Sequence, residues 1–261
     1  MISGIDHIVI GVDDLDAAVA NYAAAGFTVT PGGQHTGGET HNALVSFADG
    51  AYLELIAFTD PSRRVEHRWW DKLAGGEGFL DFALVSDGLA AEADRLERAG
   101  LAADGPRDGG RNRPDGQALA WRTLQPGGEG APLPFVIEDV TARDLRVPPG
   151  AATEHANGVR GVAGLVVAVD DLGGAVASYA TVLGSSGEAA EATGEGFGRA
   201  HRFALGGQWI ELAEAAPDAD GIRRHVRERG AAPWEMVLLG PGEARIAADQ
   251  ANEARIRIVA G

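Results

Sequence analysis

The sequence predicts an α+β fold of repeated βαβββ modules pairing into cupped, half-barrel mixed sheets, about three and a half modules in all. Three observations carry this. "VDDLDAAVANYA" (Val12 to Ala23) recurs as "VDDLGGAVASYA" (Val169 to Ala180), a shift of 157 residues. The same shift carries "YLELI" (Tyr52 to Ile56) onto "WIELA" (Trp209 to Ala213) and Gly50 onto Gly207, so both ends of a module match without a gap. Within each copy, strand-like apolar runs flank one stretch of helical period.

Taken in order, "DHIVIGV" reads as a strand, after which an Asp caps a helix striped by Leu15, Val19 and Tyr22. "GFTVT" is a short strand, and "THNALVSFADGAYLELIAF" is a hairpin turning at Asp49-Gly50. A two-residue turn there pairs Ala48 with Ala51 and Val45 with Glu54. Alternation then sends Leu53 and Leu55 toward the helix, and Tyr52, Glu54 and Ile56 into the cup with His7 and Val9. Glu54 is the anomaly: an acid inside so apolar a strand must be solvated, paired or bound to a cation.

A fainter copy follows, with strand "GFLDFALV", a helix striped by Leu89, Ala93 and Leu96, and the hairpin "QALAWRTLQPGGEGAPLPFVIED". The third copy repeats the first. After it, a helical "DGIRRHVRERG" leads to "PWEMVLL" and "ARIRIVAG", the first and last strands of a trimmed fourth unit. "RDLRVPPGAATEHANG" reads as a linker. The expected division is 1–140 (two modules), 141–158 (linker) and 159–261 (one full and one truncated module).

The 261-residue chain carries a formal charge of −16 and no cysteine. The charge argues against a nucleic-acid partner, which needs clustered Lys and Arg. The missing cysteine removes thiol catalysis, disulfides and Cys-based zinc sites. No apolar run reaches membrane-spanning length, and "MISGIDHIVIGV" lacks a basic region ahead of its apolar run. A cytoplasmic protein with a small-molecule ligand, monomeric or homodimeric, is the expectation.

"DHIVIGVDDLDAA", "THNALVSFADGAYLELIAF", "RNRPDG" and "LPFVIED", in that order, resemble the glyoxalase-like domain family of the vicinal oxygen chelate superfamily, over roughly residues 3–140. The third module is similar to a generic member of that superfamily. The resemblance implies a divalent metal (Zn, Fe(II), Mn or Ni) in the cup, held by His7 on the first strand and Glu54 on the fourth, with open positions for an oxygen-bearing substrate. The second module places Phe82 on or near the His7 position and offers only Glu138 on its closing strand. In the third, Gly164 replaces the histidine and leaves Glu211 as a substrate contact without that partner.

On the assumed register His41 faces the cup about 13 Å along the strand from the level of Glu54, too far to share one ion with it. His41 and Asn42 are expected to orient a substrate, with His41 as the available base beside Glu54; the alternative is a hydrogen bond closing the preceding glycine loop. His35 is expected to be a solvated loop histidine. Arg113 is expected to clamp a substrate carboxylate or phosphate, or else to pair with Asp115. Trp69 and Trp70 are expected to pack between modules. "TGEGFG" precedes a strand rather than a helix, and GxSxG and HExxH are absent. The implied function is a small-molecule isomerase, lyase or dioxygenase. The alternatives are a metal-free protein sequestering a drug-like or natural-product ligand, and a relic whose cup is filled by side chains.

Overall fold

The computed structural model describes residues 1–261. The first module comprises β1 (Ile2–Gly11), α1 (Leu15–Ala24), β2 (Thr30–His35), β3 (Thr40–Ser46) and β4 (Tyr52–Phe58). Asp14 caps α1, its carboxylate accepting from Ala17 N at 3.0 Å. After α2 (Trp70–Ala74), the second module follows as β5 (Gly78–Ser86), α3 (Leu89–Arg98), β6 (Ala103–Asn112), β7 (Ala118–Pro126) and β8 (Phe135–Asp139). Both modules have the strand order first-fourth-third-second. β1 pairs with β5, and β2 with β6, both antiparallel, so the sheets close into an eight-stranded barrel.

A short helix α4 (Arg143–Arg146) leads to the third module: β9 (Gly161–Val169), α5 (Leu172–Leu183), β10 (Glu188–Ala190), β11 (Phe197–Leu205) and β12 (Gln208–Ala215). Then come α6 (Asp220–Arg229), β13 (Ala232–Gly240), β14 (Ala244–Ile246) and β15 (Ile256–Ala260). These strands form an open seven-stranded sheet, and its antiparallel β9–β13 pair repeats the β1–β5 junction. The fourth module lacks the helix that would follow β13, and its strands β14 and β15 are short.

One apolar core joins the barrel to this second sheet. It contains Ile8, Ile10, Leu53 and Leu55 from the barrel, Tyr22 from α1, and Leu165, Val167, Tyr179 and Leu212 from the third module. Each such side chain, once buried, contributes about 1.5–3 kcal/mol. Tyr22 Oη donates to Ala251 O, and Arg95 on α3 donates to Thr181 O and Val182 O at the end of α5. A guanidinium there satisfies carbonyls that a helix terminus leaves unpaired.

The β3–β4 hairpin departs from the expected register by one residue. Phe47 N donates to Ala51 O and Gly50 N to Phe47 O, so Ala48, Asp49 and Gly50 form a three-residue loop. Gly50 adopts φ +86°, the left-handed value such a loop needs at its last position. Leu44 therefore stands opposite Glu54, and Asn42 opposite Ile56. Because strand parity has period two, this slip exchanges the faces of every residue on β3. Asn42 turns into the barrel. His41 stays on the face of Ala43 and Val45, and that face now packs in the core outside the barrel.

Candidate functional site

The barrel encloses a cavity of about 310 Å³ opening to solvent, with His7, Glu54, His35 and Asn42 among its lining residues. His7 comes from β1, where the pairing with β5 slips between Ile5 and His7. Successive strand residues ordinarily point to opposite faces; the irregularity lets Asp6 lie under the ring of its neighbour. His7 Nδ1 and Asp6 Oδ1 are 2.6 Å apart. The His7 ring also stacks on Tyr52, centroids 4.6 Å apart.

Asp6 is wholly buried and receives Arg146 through two 2.9 Å hydrogen bonds and Arg143 through one of 2.6 Å. Burial alone would raise its pKa, but Arg146 and His7 hold it well below the carboxylate range. Arg146 also engages Asp139 and donates to Tyr52 Oη. Both arginines belong to α4, in the segment expected to be a linker. Their charges form the floor beneath His7.

Glu54 is 5 % exposed. Asn42 Nδ2 donates to its Oε1 at 2.6 Å, and Arg111 donates to Asn42 Oδ1 at 3.3 Å, which fixes the direction of the amide. His7 Nε2 stands 3.4 Å from Glu54 Oε2, and His35 Nε2 stands 3.4 Å from Oε1. Those separations exceed a good hydrogen bond. Desolvation would raise the pKa of Glu54, but His35, His7 and Asn42 together lower it to about 2. The carboxylate is ionised at neutral pH.

His35 corrects the expectation of a solvated loop histidine. It ends β2, lines the cavity, and its Nδ1 is 2.8 Å from Thr40 Oγ1. Both histidines thus have Nδ1 occupied by a partner and Nε2 directed at one carboxylate. That is how proteins orient metal-ligating imidazoles. Two imidazole nitrogens and a carboxylate fit a divalent first-row cation in donor chemistry. The side chains approach opposite oxygens of Glu54, and no three His, Asp or Glu donors already meet about one point.

The remaining walls were largely missed in the sequence. Trp69, Phe135, Trp121 and Tyr52 are aromatic lining, and Trp69 Nε1 donates to Asp81 at 3.0 Å. Trp70 packs instead on Phe58, with ring centroids 4.6 Å apart. Arg68 and His67 complete the mouth. His67 Nδ1 accepts from Trp69 N at 3.3 Å, and burial lowers its pKa, so the neutral ring carries its proton on Nε2. The only sequence signal for this wall was the density of aromatic and basic residues in "RRVEHRWW".

Three predicted site residues lie elsewhere. His41 is half-buried outside the cavity lining, because of the hairpin slip. Arg113 pairs with Asp115 at 3.0 Å and donates to Leu145 O; Arg111, two residues earlier on β6, is the arginine that reaches the cavity. Glu211 is fully buried, receiving Thr193 N at 2.6 Å and Arg202 at 2.6 Å. Arg202 in turn lies 4.5 Å above the Trp209 ring. A Cβ on Gly164 would fall 2.1 Å from that ring, so Trp209 occupies the space that His7 takes in the first module. In the second module the pairing of Ala83 with Phe135 matches that of His7 with Tyr52, which makes Ala83 and Ile137 the counterparts of His7 and Glu54. Only the first module presents this polar set.

Comparisons with known proteins agree with this architecture. The fold is similar to a hypothetical protein from Staphylococcus aureus, with a TM-score of 0.73 at 13% identity over 98% of this chain and 99% of that one. It is also similar to a mutant 4-hydroxymandelate synthase from Streptomyces coelicolor, with a TM-score of 0.56 at 14% identity over 95% of this chain and 78% of that one. A xylose isomerase-like TIM barrel/4-hydroxyphenylpyruvate dioxygenase fusion protein gives 0.55 at 15% identity, over 92% of this chain and 36% of that one. No curated protein matches by sequence. A family model described as a glyoxalase-like domain matches residues 5–183, through the barrel and into the third module. With residues 5–183 of its 261 matched, the chain belongs to the family described as a glyoxalase-like domain.

Proposed function

We propose that the barrel cavity is the active site of an enzyme acting on a small oxygenated molecule, with a divalent cation held by His7, His35 and Glu54. One observation carries the reading: the chain Asp6–His7···Glu54···His35–Thr40, in which a buried ionised carboxylate is flanked by two imidazole nitrogens whose opposite ring positions are already engaged. Such a cation would act as a Lewis acid toward vicinal substrate oxygens, which suits isomerase, lyase or dioxygenase chemistry. The chain's own residues set the stage for it. Asp6 holds the His7 ring by Nδ1 and turns Nε2 toward Glu54 and the cavity. Asn42 holds Glu54 in place. His67 presents an Nε2–H to a substrate oxygen, and Trp69, Trp121 and Phe135 exclude water from the inner wall.

A second reading keeps the cavity and drops the metal. The aromatic wall alone suits sequestration of a small planar ligand, and no pre-gathered three-donor cluster is needed for it. Metal content of protein purified without chelator separates the two. Stoichiometric Zn, Fe, Mn or Ni that is lost in His7→Ala and in Glu54→Gln supports the enzyme. Metal-free protein that binds none of these ions by calorimetry, at unchanged melting temperature, overturns it in favour of sequestration.

A further inference from the structure

The three arginines of the cavity differ in what they have left to offer. Arg146 has Nε and both terminal nitrogens bonded to Asp6, Asp139 and Tyr52. Arg111 is 3 % exposed, bonded to Asn42 and Arg146 O, and its unpartnered Nε is sealed inside the wall. Arg68 is the exception. Its side chain is 41% exposed and only Nη2 is engaged, 2.7 Å from Asp81 Oδ2.

Its position is nevertheless well defined. The guanidinium sits 5.1 Å from the Phe135 ring centroid and 5.7 Å from that of Trp69. Asp81 is itself fixed, accepting Trp69 Nε1 at 3.0 Å and Phe82 N at 2.9 Å. Held by one nitrogen and two aromatic rings, Arg68 keeps Nε and Nη1 as free donors at the cavity mouth. A guanidinium so prepared loses little side-chain freedom on gripping a second anion.

We propose that Arg68 grips the anionic group of the substrate, and that the cavity takes a small carboxylate bearing a planar apolar part. This rests on the cavity being a small-molecule site and not on the metal. The second hydrogen of Nη2, with Nη1 or Nε beside it, makes a parallel N–H pair that matches a carboxylate in geometry as well as charge. The volume sets the size: a benzene ring fills a cavity of about 150 Å³, so about 310 Å³ leaves room for a ring and a short acid chain. Trp69, Trp121 and Phe135 supply the faces for the ring. The charge setting agrees, since three arginines (Arg68, Arg111, Arg146) and two glutamates (Glu39, Glu54) line the cavity in a chain of net charge −16. The cavity lining is thus comparatively positive in an acidic protein.

The test uses the full chain stripped with chelator and titrated with phenylacetate, phenylacetamide and acetate, read by tryptophan fluorescence and calorimetry. Phenylacetate should bind about 10–100-fold more tightly than the isosteric amide, and acetate most weakly. Arg68→Met should abolish the preference for the acid and Arg68→Lys should retain part of it. Because Arg68→Met takes the ion-pair partner from Asp81, both variants are titrated well below their melting temperatures, where circular dichroism shows them folded. Equal binding of acid and amide overturns the proposal. So does a preference that survives Arg68→Met, or no phenylacetate binding at about 10 mM. Because the protein is metal-free, failure of the metal site leaves this result standing; metal binding without acid preference overturns the Arg68 assignment alone.

Discussion

His35 Nε2 stands 3.4 Å from Glu54 Oε1, although the two residues lie on strands separated by β3. Asn42 on that intervening strand bridges them, its Nδ2 2.6 Å from Glu54 Oε1 and 3.5 Å from His35 Nε2. His35→Ala should therefore lower divalent-metal affinity about tenfold or more, the scale of losing a donor or its support. Calorimetric titration with Zn or Mn measures it. Unchanged affinity would show that His7 and Glu54 bind metal without His35.

Asp6→Asn should be among the most damaging single changes in the barrel. It leaves Arg146 and Arg143 without their shared carboxylate in a buried place and frees the Nδ1 side of His7. Breaking a buried ion pair from one side costs about 3–5 kcal/mol, measurable as a lower urea midpoint.

Acid should destabilise the native state through Glu54 with a definite sign. Its folded pKa is about 2, below the 4.5 of an ordinary glutamate. The stabilisation is therefore full above about pH 4.5 and lost as the pH falls toward 2. Glu54→Gln should flatten that part of the stability–pH curve, removing on the order of 3 kcal/mol of pH dependence.

His225 acts at a higher pH. Burial, with Arg229 and Arg255 nearby, lowers its pKa from 6.5 to about 4. The unfolded chain binds the proton more readily, so this residue's contribution is present above pH 6.5 and lost as pH falls through 4. His225→Gln should reduce the loss of melting temperature between neutral pH and pH 4; an identical slope would assign that loss to other groups.

Gly164→Ala should destabilise the third module by about 1–3 kcal/mol or more, as overpacking does. The added Cβ would meet the Trp209 ring at 2.1 Å and push it off Arg202. A urea titration that matches the parent would mean that the ring has somewhere else to go.

The sequence by itself determined the modular plan, because a duplicated unit repeats its strand periods, its Asp-capped helix and its closing "YLELI" or "WIELA" strand. It also determined that Glu54 and His7 share a face, since neighbouring parallel strands keep parity along β1 and β4. Tertiary structure decided the rest of the cavity. One extra loop residue in the β3–β4 hairpin exchanged His41 for Asn42, a change invisible to side-chain periodicity. β6 could not be read as a strand from "ADGPRDGGRN", whose glycines and charges show no alternation, yet it closes the barrel and delivers Arg111. Arg146 arrives from a segment that resembles a linker, because only the buried charge of Asp6, far away in the chain, gives it a reason to be there. Local periodicity reports which face a residue takes on its own strand. Which faces meet across a closed barrel is set by loop length, bulges and long-range ion pairs, and those are properties of the folded whole.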